Sequence, residues 1–224
     1  EGDYNLTVTA TDEAGNISSP SDSIPLSIIF DITPPAAPLI TTTTALTNNP
    51  TPDIAGTAEA GSTVELFNGS DSLGTATADV DGNFSITPTL GDSDYVLTVT
   101  ATDEAGNTSD PSAGLPITID TTAPEAPTSI EISSSITNDS TTLSVTGTAV
   151  KGSSVQLLNG STIIGTAQAD VSSGEFTIVP STALEEGDYN LTVTATDEAG
   201  NISSPSDSIP LSIIFDITPP AAPL

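Results

Sequence analysis

In DYVLTVTATDEAGN, residues 94–107, apolar and polar side chains alternate along one short run and then give way to an acidic turn containing glycine. A period of two belongs to a strand with one buried face, so Tyr95, Leu97, Val99 and Ala101 are expected to face a core, and Val96, Thr98, Thr100 and Thr102 to face outward. The same text recurs: TDEAGN occupies Thr11–Asn16, Thr102–Asn107 and Thr196–Asn201, each time directly after LTVTA. Its starts lie 91 and 94 residues apart, about the size of one immunoglobulin-like sandwich.

Working outward, residues 1–39 and 186–224 are identical, so the longer repeat is a pair of related modules 185 residues in length. The expected organisation is the last two strands (F and G) of one module over residues 1–30, complete modules over 31–119 and 120–215, and a linker with the start of a further module over 216–224. Within the first complete module, turn signals separate seven short strands: A near Pro38 to Leu46, B at Asp53 to Ala58, C at Thr63 to Phe67, D at Leu73 to Ala78, E at Phe84 to Pro88, F at Tyr95 to Thr102 and G at Leu115 to Ile119. No helical periodicity interrupts them, and the fold class is all-β: tandem immunoglobulin-like seven-stranded β-sandwich modules in an extended array. Tyr4, Tyr95 and Tyr189, the only tyrosines, all open strand F, where a corner tyrosine is expected to bond back to the backbone. Asn68-Gly69 and Asn159-Gly160 mark tight hairpin turns. Phe176 and Ile178 match Phe84 and Ile86 in strand E.

Composition excludes most site chemistry. The chain has one lysine, no arginine, no histidine and no cysteine, with a formal net charge of −29. Histidine- or cysteine-dependent catalysis and thiolate zinc sites are therefore impossible, and no enzyme is expected. Nucleic acid is not an expected partner, because neutralising phosphates takes clustered basic residues. Direct membrane insertion is not expected either, the longest apolar run being the short PLSIIF at Pro25 to Phe30.

Acid in such excess directs attention to cations. If the strands run in the order A to G, the B–C, D–E and F–G loops meet at the end where the module begins. They bring Glu59, then Asp79 and Asp81, then Asp103, Glu104 and Asn107, and the linker adds Asp31. Oxygen ligands of mixed carboxylate, amide and carbonyl type suit Ca²⁺. Asp170, Asp197 and Asn201 are the corresponding candidates in the second module. That module departs at Val150-Lys151, where the first has Glu59-Ala60, so the only basic residue stands where a ligand was lost; the Lys151 ammonium is expected to replace part of a cation there or to point to solvent. The other reading of every such loop is an ordinary solvated acidic turn, for which Asp, Gly and Asn are also the usual residues. DVDGN at Asp79–Asn83 opens like an EF-hand loop but lacks the downstream glutamate and flanking helices. The threonine rows follow from strand propensity.

The string DTTAPEAP, GTAEAGSTVELF, LGTATADVDGNFSITP, DYVLTVTATDEAGNTS, ITID resembles the bacterial Ig-like tandem repeats of giant RTX-type adhesins, over the whole chain. The resemblance implies a structural extender segment of a large bacterial cell-surface adhesin, a Ca²⁺-rigidified rod that projects a terminal ligand-binding domain. It implies an extracellular location reached by type I secretion, with neighbouring Ig-like modules of the same chain as partners and the adhesion ligand bound elsewhere. It carries over the linker acids Asp31, Asp120 and Asp216 and the loop acids Asp12, Asp103 and Asp197 as calcium ligands. Alternatives are an adhesion module that binds glycans or cells directly, with Phe67 as the candidate aromatic contact, and a surface-layer or filament subunit.

Overall fold

The computed structural model describes residues 2–28, 30–133, 136–137, 143–181 and 183–215. Among them there is no helix, and the strands form two-layered sandwiches. By Cα packing the chain divides into two compact units, Glu1–Thr43 with Asp53–Pro88 and Val96–Leu115, and Thr44–Pro52 with Thr89–Tyr95 and Pro116–Leu224.

An antiparallel pair comes first, β1 (Gly2–Leu6) with β2 (Ile24–Ile28), Tyr4 opposite Leu26. The first sandwich follows: β3 (Leu39–Ile40), β4 (Leu46–Thr47), β5 (Ile54–Thr57), β6 (Thr63–Asn68), β7 (Asp71–Thr77), β8 (Asn83–Ile86), β9 (Ser93–Thr102) and β10 (Leu115–Ile119). One layer runs β3-β5-β8 and the other β4-β10-β9-β6-β7. The second sandwich repeats this plan with β11 (Thr128–Ile132), β12 (Ile136–Thr137), β13 (Val145–Thr148), β14 (Ser154–Asn159), β15 (Thr162–Gln168), β16 (Glu175–Ile178), β17 (Gly187–Thr196) and β18 (Ile209–Phe215). Its layers are β11-β13-β16 and β12-β18-β17-β14-β15.

Alternation in β9 is as the sequence predicts. Leu97, Val99 and Ala101 are fully buried and Val96 is exposed. Val64 and Leu66 of β6 are buried as well, as are Ile54 of β5 and Phe84 of β8 in the facing layer. Each of these side chains other than Ala101 contributes roughly 1.5–3 kcal/mol by leaving water. Tyr95 donates its hydroxyl to the carbonyl of Gly91 at 3.0 Å, and Tyr189 to that of Glu185 at 2.9 Å, so both are corner tyrosines.

Two details differ from the expected strands. Strand A is split: β3 pairs antiparallel with β5, whereas β4 pairs parallel with β10 in the other layer. The crossing is made by the threonine run. Thr41 N–H donates to the Ala55 carbonyl at 2.9 Å, and the Thr42 hydroxyl accepts from Ala55 N–H at 2.8 Å while donating to the Asp53 carbonyl at 3.0 Å. The fourth strand, read as D, is β7, and the expected hairpin turn folds it back onto β6 within the same sheet. The turn itself has Gly69 and Ser70 at its centre, with Asn68 paired to Asp71. Positive φ is confined to Gly69 at 61°, and Gly160 repeats it at 61°, which is the geometry of a glycine at the first central position.

The identical strand pairs β1–β2 and β17–β18 separate local from tertiary causes. Both hold the same register, Tyr4 opposite Leu26 and Tyr189 opposite Leu211. Yet Leu6 and Leu26 are 49% and 42% exposed, whereas Leu191 and Leu211 are 0% and 2% exposed, because β11-β13-β16 faces the second pair. Pairing is written in the strands; burial is supplied by the opposite layer.

Candidate metal centre and linker clasp

The loops at the start of the first sandwich are joined by backbone bonds. Ala58 N–H donates to the Gly82 carbonyl at 2.8 Å and Gly61 N–H to the Ala78 carbonyl at 3.0 Å, which stitches the β5–β6 loop to the β7–β8 loop. Gly82 sits at φ 82° with the Ala58 carbonyl 2.6 Å from where a Cβ would stand, so only glycine fits this crossing.

Asp31, Glu59, Asp103 and Glu104 line one open hollow of about 530 Å³ together with Ser62. Four of the seven expected oxygen-bearing side chains are thus brought together. Asp79 and Asp81 lie in the β7–β8 loop and do not line that hollow. Among the described residues no three acidic groups stand close enough to hold a metal ion as placed. Asp216 lies outside the described residues.

The TDEAGN turn has a definite job. Asp103 Oδ1 accepts from Asn107 N–H at 2.8 Å and Asp103 Oδ2 from the Asn107 amide at 2.8 Å, while Asp103 N–H donates to the Asn107 carbonyl at 3.1 Å. The aspartate therefore closes its own loop. The same Asn107 amide donates to the backbone carbonyl of Asp31 at 3.1 Å, and Asn201 donates to that of Asp120 at 2.8 Å. Asparagine thus clasps the linker that enters each sandwich. Asp12 and Asp197 close their turns as Asp103 does, Asp12 onto Asn16 at 2.8 Å and Asp197 onto Asn201 at 2.8 Å. Asp31 and Asp120 each cap their own linker, accepting from the N–H two residues on, Thr33 and Thr122, at 3.0 Å.

Asp79 and Asp170 cap the β7–β8 and β15–β16 loops. Asp79 Oδ1 accepts from Asn83 N–H at 2.7 Å and from Asp81 N–H at 2.9 Å. Asp170 Oδ1 accepts from the N–H groups of Ser172 and Ser173, both at 2.8 Å, and from the Ser172 hydroxyl at 2.5 Å. These donors, the Ser172 hydroxyl foremost, hold the Asp170 carboxyl well below the usual carboxylate range. Bonds from Asn16, Asn83 and Asn107 lower Asp12, Asp79 and Asp103 in the same direction. A pKa lowered by folding means that the turn contributes fully above the unfolded value near 3.9 and loses its contribution as pH falls through the folded value. Asp170→Ala is accordingly expected to lower the melting temperature at pH 6, with the gap to wild type shrinking below about pH 4 and closing only in strong acid. A gap independent of pH between 6 and 2 would contradict the assignment.

Lys151 lines the matching hollow of the second sandwich with Val150, Asp197 and Glu198, and a second recess beside it with Glu125 and Ser173. The strand-bearing Phe67, the candidate aromatic contact, is half-buried in β6.

The sequence reading missed a set of serines. After each TDEAGN comes Ser-x-Pro-Ser, at residues 18–21, 109–112 and 203–206. Ser109 N–H donates to the Ala101 carbonyl at 2.9 Å and its hydroxyl accepts from Ala101 N–H at 3.0 Å; Ser112 does the same for Val99, at 2.9 and 3.1 Å. Each serine replaces a ladder residue along β9, with between them a proline that has no N–H to offer. The signal was the triple recurrence of the tetrapeptide next to an unpaired stretch of strand.

The sequence profile of the bacterial Ig-like domain matches residues 40–121 and 123–216. The chain belongs to the bacterial Ig-like domain family. No curated protein matches it. Among solved structures, these bacterial Ig-like sandwiches are similar in fold to the fibronectin(III)-like modules of Clostridium thermocellum CbhA, at 21% identity and a TM-score of 0.52 over 84% of this chain and 100% of that one. Also similar are a Ca²⁺-stabilised adhesin of an Antarctic bacterium that binds ice (24% identity, TM-score 0.40, 97% of this chain and 58% of that one) and a tetra-tandem repeat from the extending region of a large adhesion protein (23%, 0.34, 96% and 57%).

Proposed function

We propose that this chain is a length of the extender of a large bacterial cell-surface adhesin, a calcium-stiffened rod whose task is to hold a terminal ligand-binding domain away from the cell. It performs no catalysis. The observation that carries the reading is the clasp: the F–G loop of each sandwich holds, through Asn107 or Asn201, the linker that enters it. A module built to grip its own connection serves spacing, and exact repetition of a 39-residue stretch after 185 residues serves it too. The proline-rich linkers DITPPAAP and DTTAPEAP favour a stiff extended connection.

The donors fit calcium. The hollow offers carboxylates of Asp31, Glu59, Asp103 and Glu104 and a serine hydroxyl, all hard oxygens, and a carboxylate oxygen that accepts one hydrogen bond keeps a second lone pair. Four like charges around one hollow repel, and a divalent cation there would replace that repulsion by attraction. Asp103, Asp12 and Asp197 hold their loops in shape with or without it. Calcium at the 10⁻⁴ to 10⁻³ M dissociation constants usual for extracellular modules suits a chain that leaves a low-calcium cytoplasm by type I secretion and stiffens outside.

Melting and small-angle scattering of the 224-residue chain in millimolar Ca²⁺ and then in chelator test this. A site with a dissociation constant near 10⁻⁴ M contributes about 1.4 kcal/mol at 1 mM. Calcium removal is therefore expected to lower the melting temperature by several degrees and to add flexibility. Superimposable curves in both media would refute the calcium reading.

A further inference from the structure

Among the described residues, groups of the chain itself fasten residues 120–122. Asp92, in the loop before β9, accepts from Thr121 N–H at 2.9 Å, from the Thr121 hydroxyl at 2.7 Å and from the Thr122 hydroxyl at 2.7 Å. Asp120 N–H donates to the Thr47 carbonyl at 3.0 Å, and Asn201 holds the Asp120 carbonyl from the other side. All of these residues fall in one compact unit. The same bonds draw the Asp92 pKa downward, the Thr121 hydroxyl contributing most, as expected for a carboxylate that receives three donors.

The other two linkers lack one donor of this fastening, the hydroxyl of the second residue, and carry a longer acid in place of Asp92. Three residues before the corner tyrosine stands Asp92 in one case but Glu1 and Glu186 in the others, and the second linker residue is Thr121 in one case but Ile32 and Ile217 in the others. Isoleucine has no hydroxyl to donate, and glutamate carries its carboxylate one methylene further out. The hollow that follows differs in the same sense. The first is lined by four carboxylates, the second by Asp197, Glu198 and the Lys151 ammonium.

We propose that the Asp-Thr-Thr linker is a metal-free fastening, clamped by Asp92, and that it alternates along the repeat with Asp-Ile-Thr linkers whose order depends on a bound divalent cation. The second half rests on the calcium reading above; the first does not. The chain shows one full alternation, with Ile32, Thr121 and Ile217 in turn. A rod of this kind softens at every other linker when calcium is withdrawn, instead of collapsing throughout.

Hydrogen exchange of the Thr33 and Thr121 amides, followed in the full chain with Ca²⁺ and with chelator, separates the two halves. Chelation is expected to speed exchange at Thr33 by about tenfold or more and to leave Thr121 within about twofold. Asp92→Ala is expected to speed Thr121 by about tenfold in both media, with Val99 in β9 still protected as proof of folding. Thr121→Ile, which removes one of the three donors to Asp92, should speed exchange at residue 122 in both media. The clamp is overturned if Asp92→Ala leaves Thr121 unchanged or if chelation exposes Thr121 as much as Thr33. Indifference of Thr33 to chelator, with Asp92→Ala still effective, removes the alternation and the calcium reading and leaves the clamp standing.

Discussion

Gly56→Ala is expected to cost about 3 kcal/mol, at the upper end of what overpacking a core costs. Gly56 lies in β5 directly beneath the Phe84 ring: an added Cβ would stand 2.5 Å from Phe84 Cζ and 2.7 Å from its Cε1, and closer still to the Leu39 carbonyl. The ring is buried and the carbonyl belongs to the β3–β5 ladder, so neither yields easily. For a sandwich of this size the loss corresponds to a fall of roughly 12–24 °C in its melting temperature. A Cβ added at Gly147 in the second sandwich meets the Phe176 ring at 2.7 Å but the Ile130 Cδ1 end in place of a carbonyl, so Gly147→Ala should lose less there. Calorimetry of each variant measures it, and pairing Gly56→Ala with Phe84→Leu should return part of the loss, because the aromatic ring is one of the two obstacles. A fall below about 3 °C would show that the Phe84 ring and β3 can shift at no great cost.

Removing both ladder-replacing serines of the second sandwich, Ser203→Ala with Ser206→Ala, is expected to cost roughly 2–6 kcal/mol. Ala195 and Val193 are fully buried, and their N–H groups have the two hydroxyls as acceptors, at 2.9 and 3.0 Å. Each donor left without a partner carries its full desolvation penalty of about 1–3 kcal/mol. Serine to threonine at the same positions keeps the hydroxyl and should recover most of the stability if the added methyl finds room. Urea titration reads the difference, and a change under about 1 kcal/mol for the double alanine variant would show that water reaches those amides.

Strand F and its corner tyrosine were legible because two independent periods coincide there, the alternation of Leu97, Val99 and Ala101 and the fixed offset of tyrosine from the loop. Strand A was not, because Thr41–Thr44 neither alternates nor breaks: its hydroxyls do the work of a crossing by bonding to Ala55 and Asp53, and that use leaves no hydrophobic signature. At the candidate site, the meeting of Asp31, Glu59, Asp103 and Glu104 followed from strand order alone. What charge counting missed is that Asp103 uses both its oxygens to shape its own loop, and that the residue reaching the linker is the uncharged Asn107. The serines after each loop looked like ordinary turn composition because a side chain that imitates a strand is chosen for one atom, not for its polarity.

Asn107 and Asn201 grip a carbonyl of the backbone and not a side chain. Every residue carries such a carbonyl, so the grip is indifferent to what the following linker residues are, and both Asp-Ile-Thr and Asp-Thr-Thr satisfy it. The joint therefore works as a standard coupling between interchangeable parts. Unequal recombination in a gene of this kind can add, drop or reorder whole units, and each new neighbour arrives with a fitting that already matches.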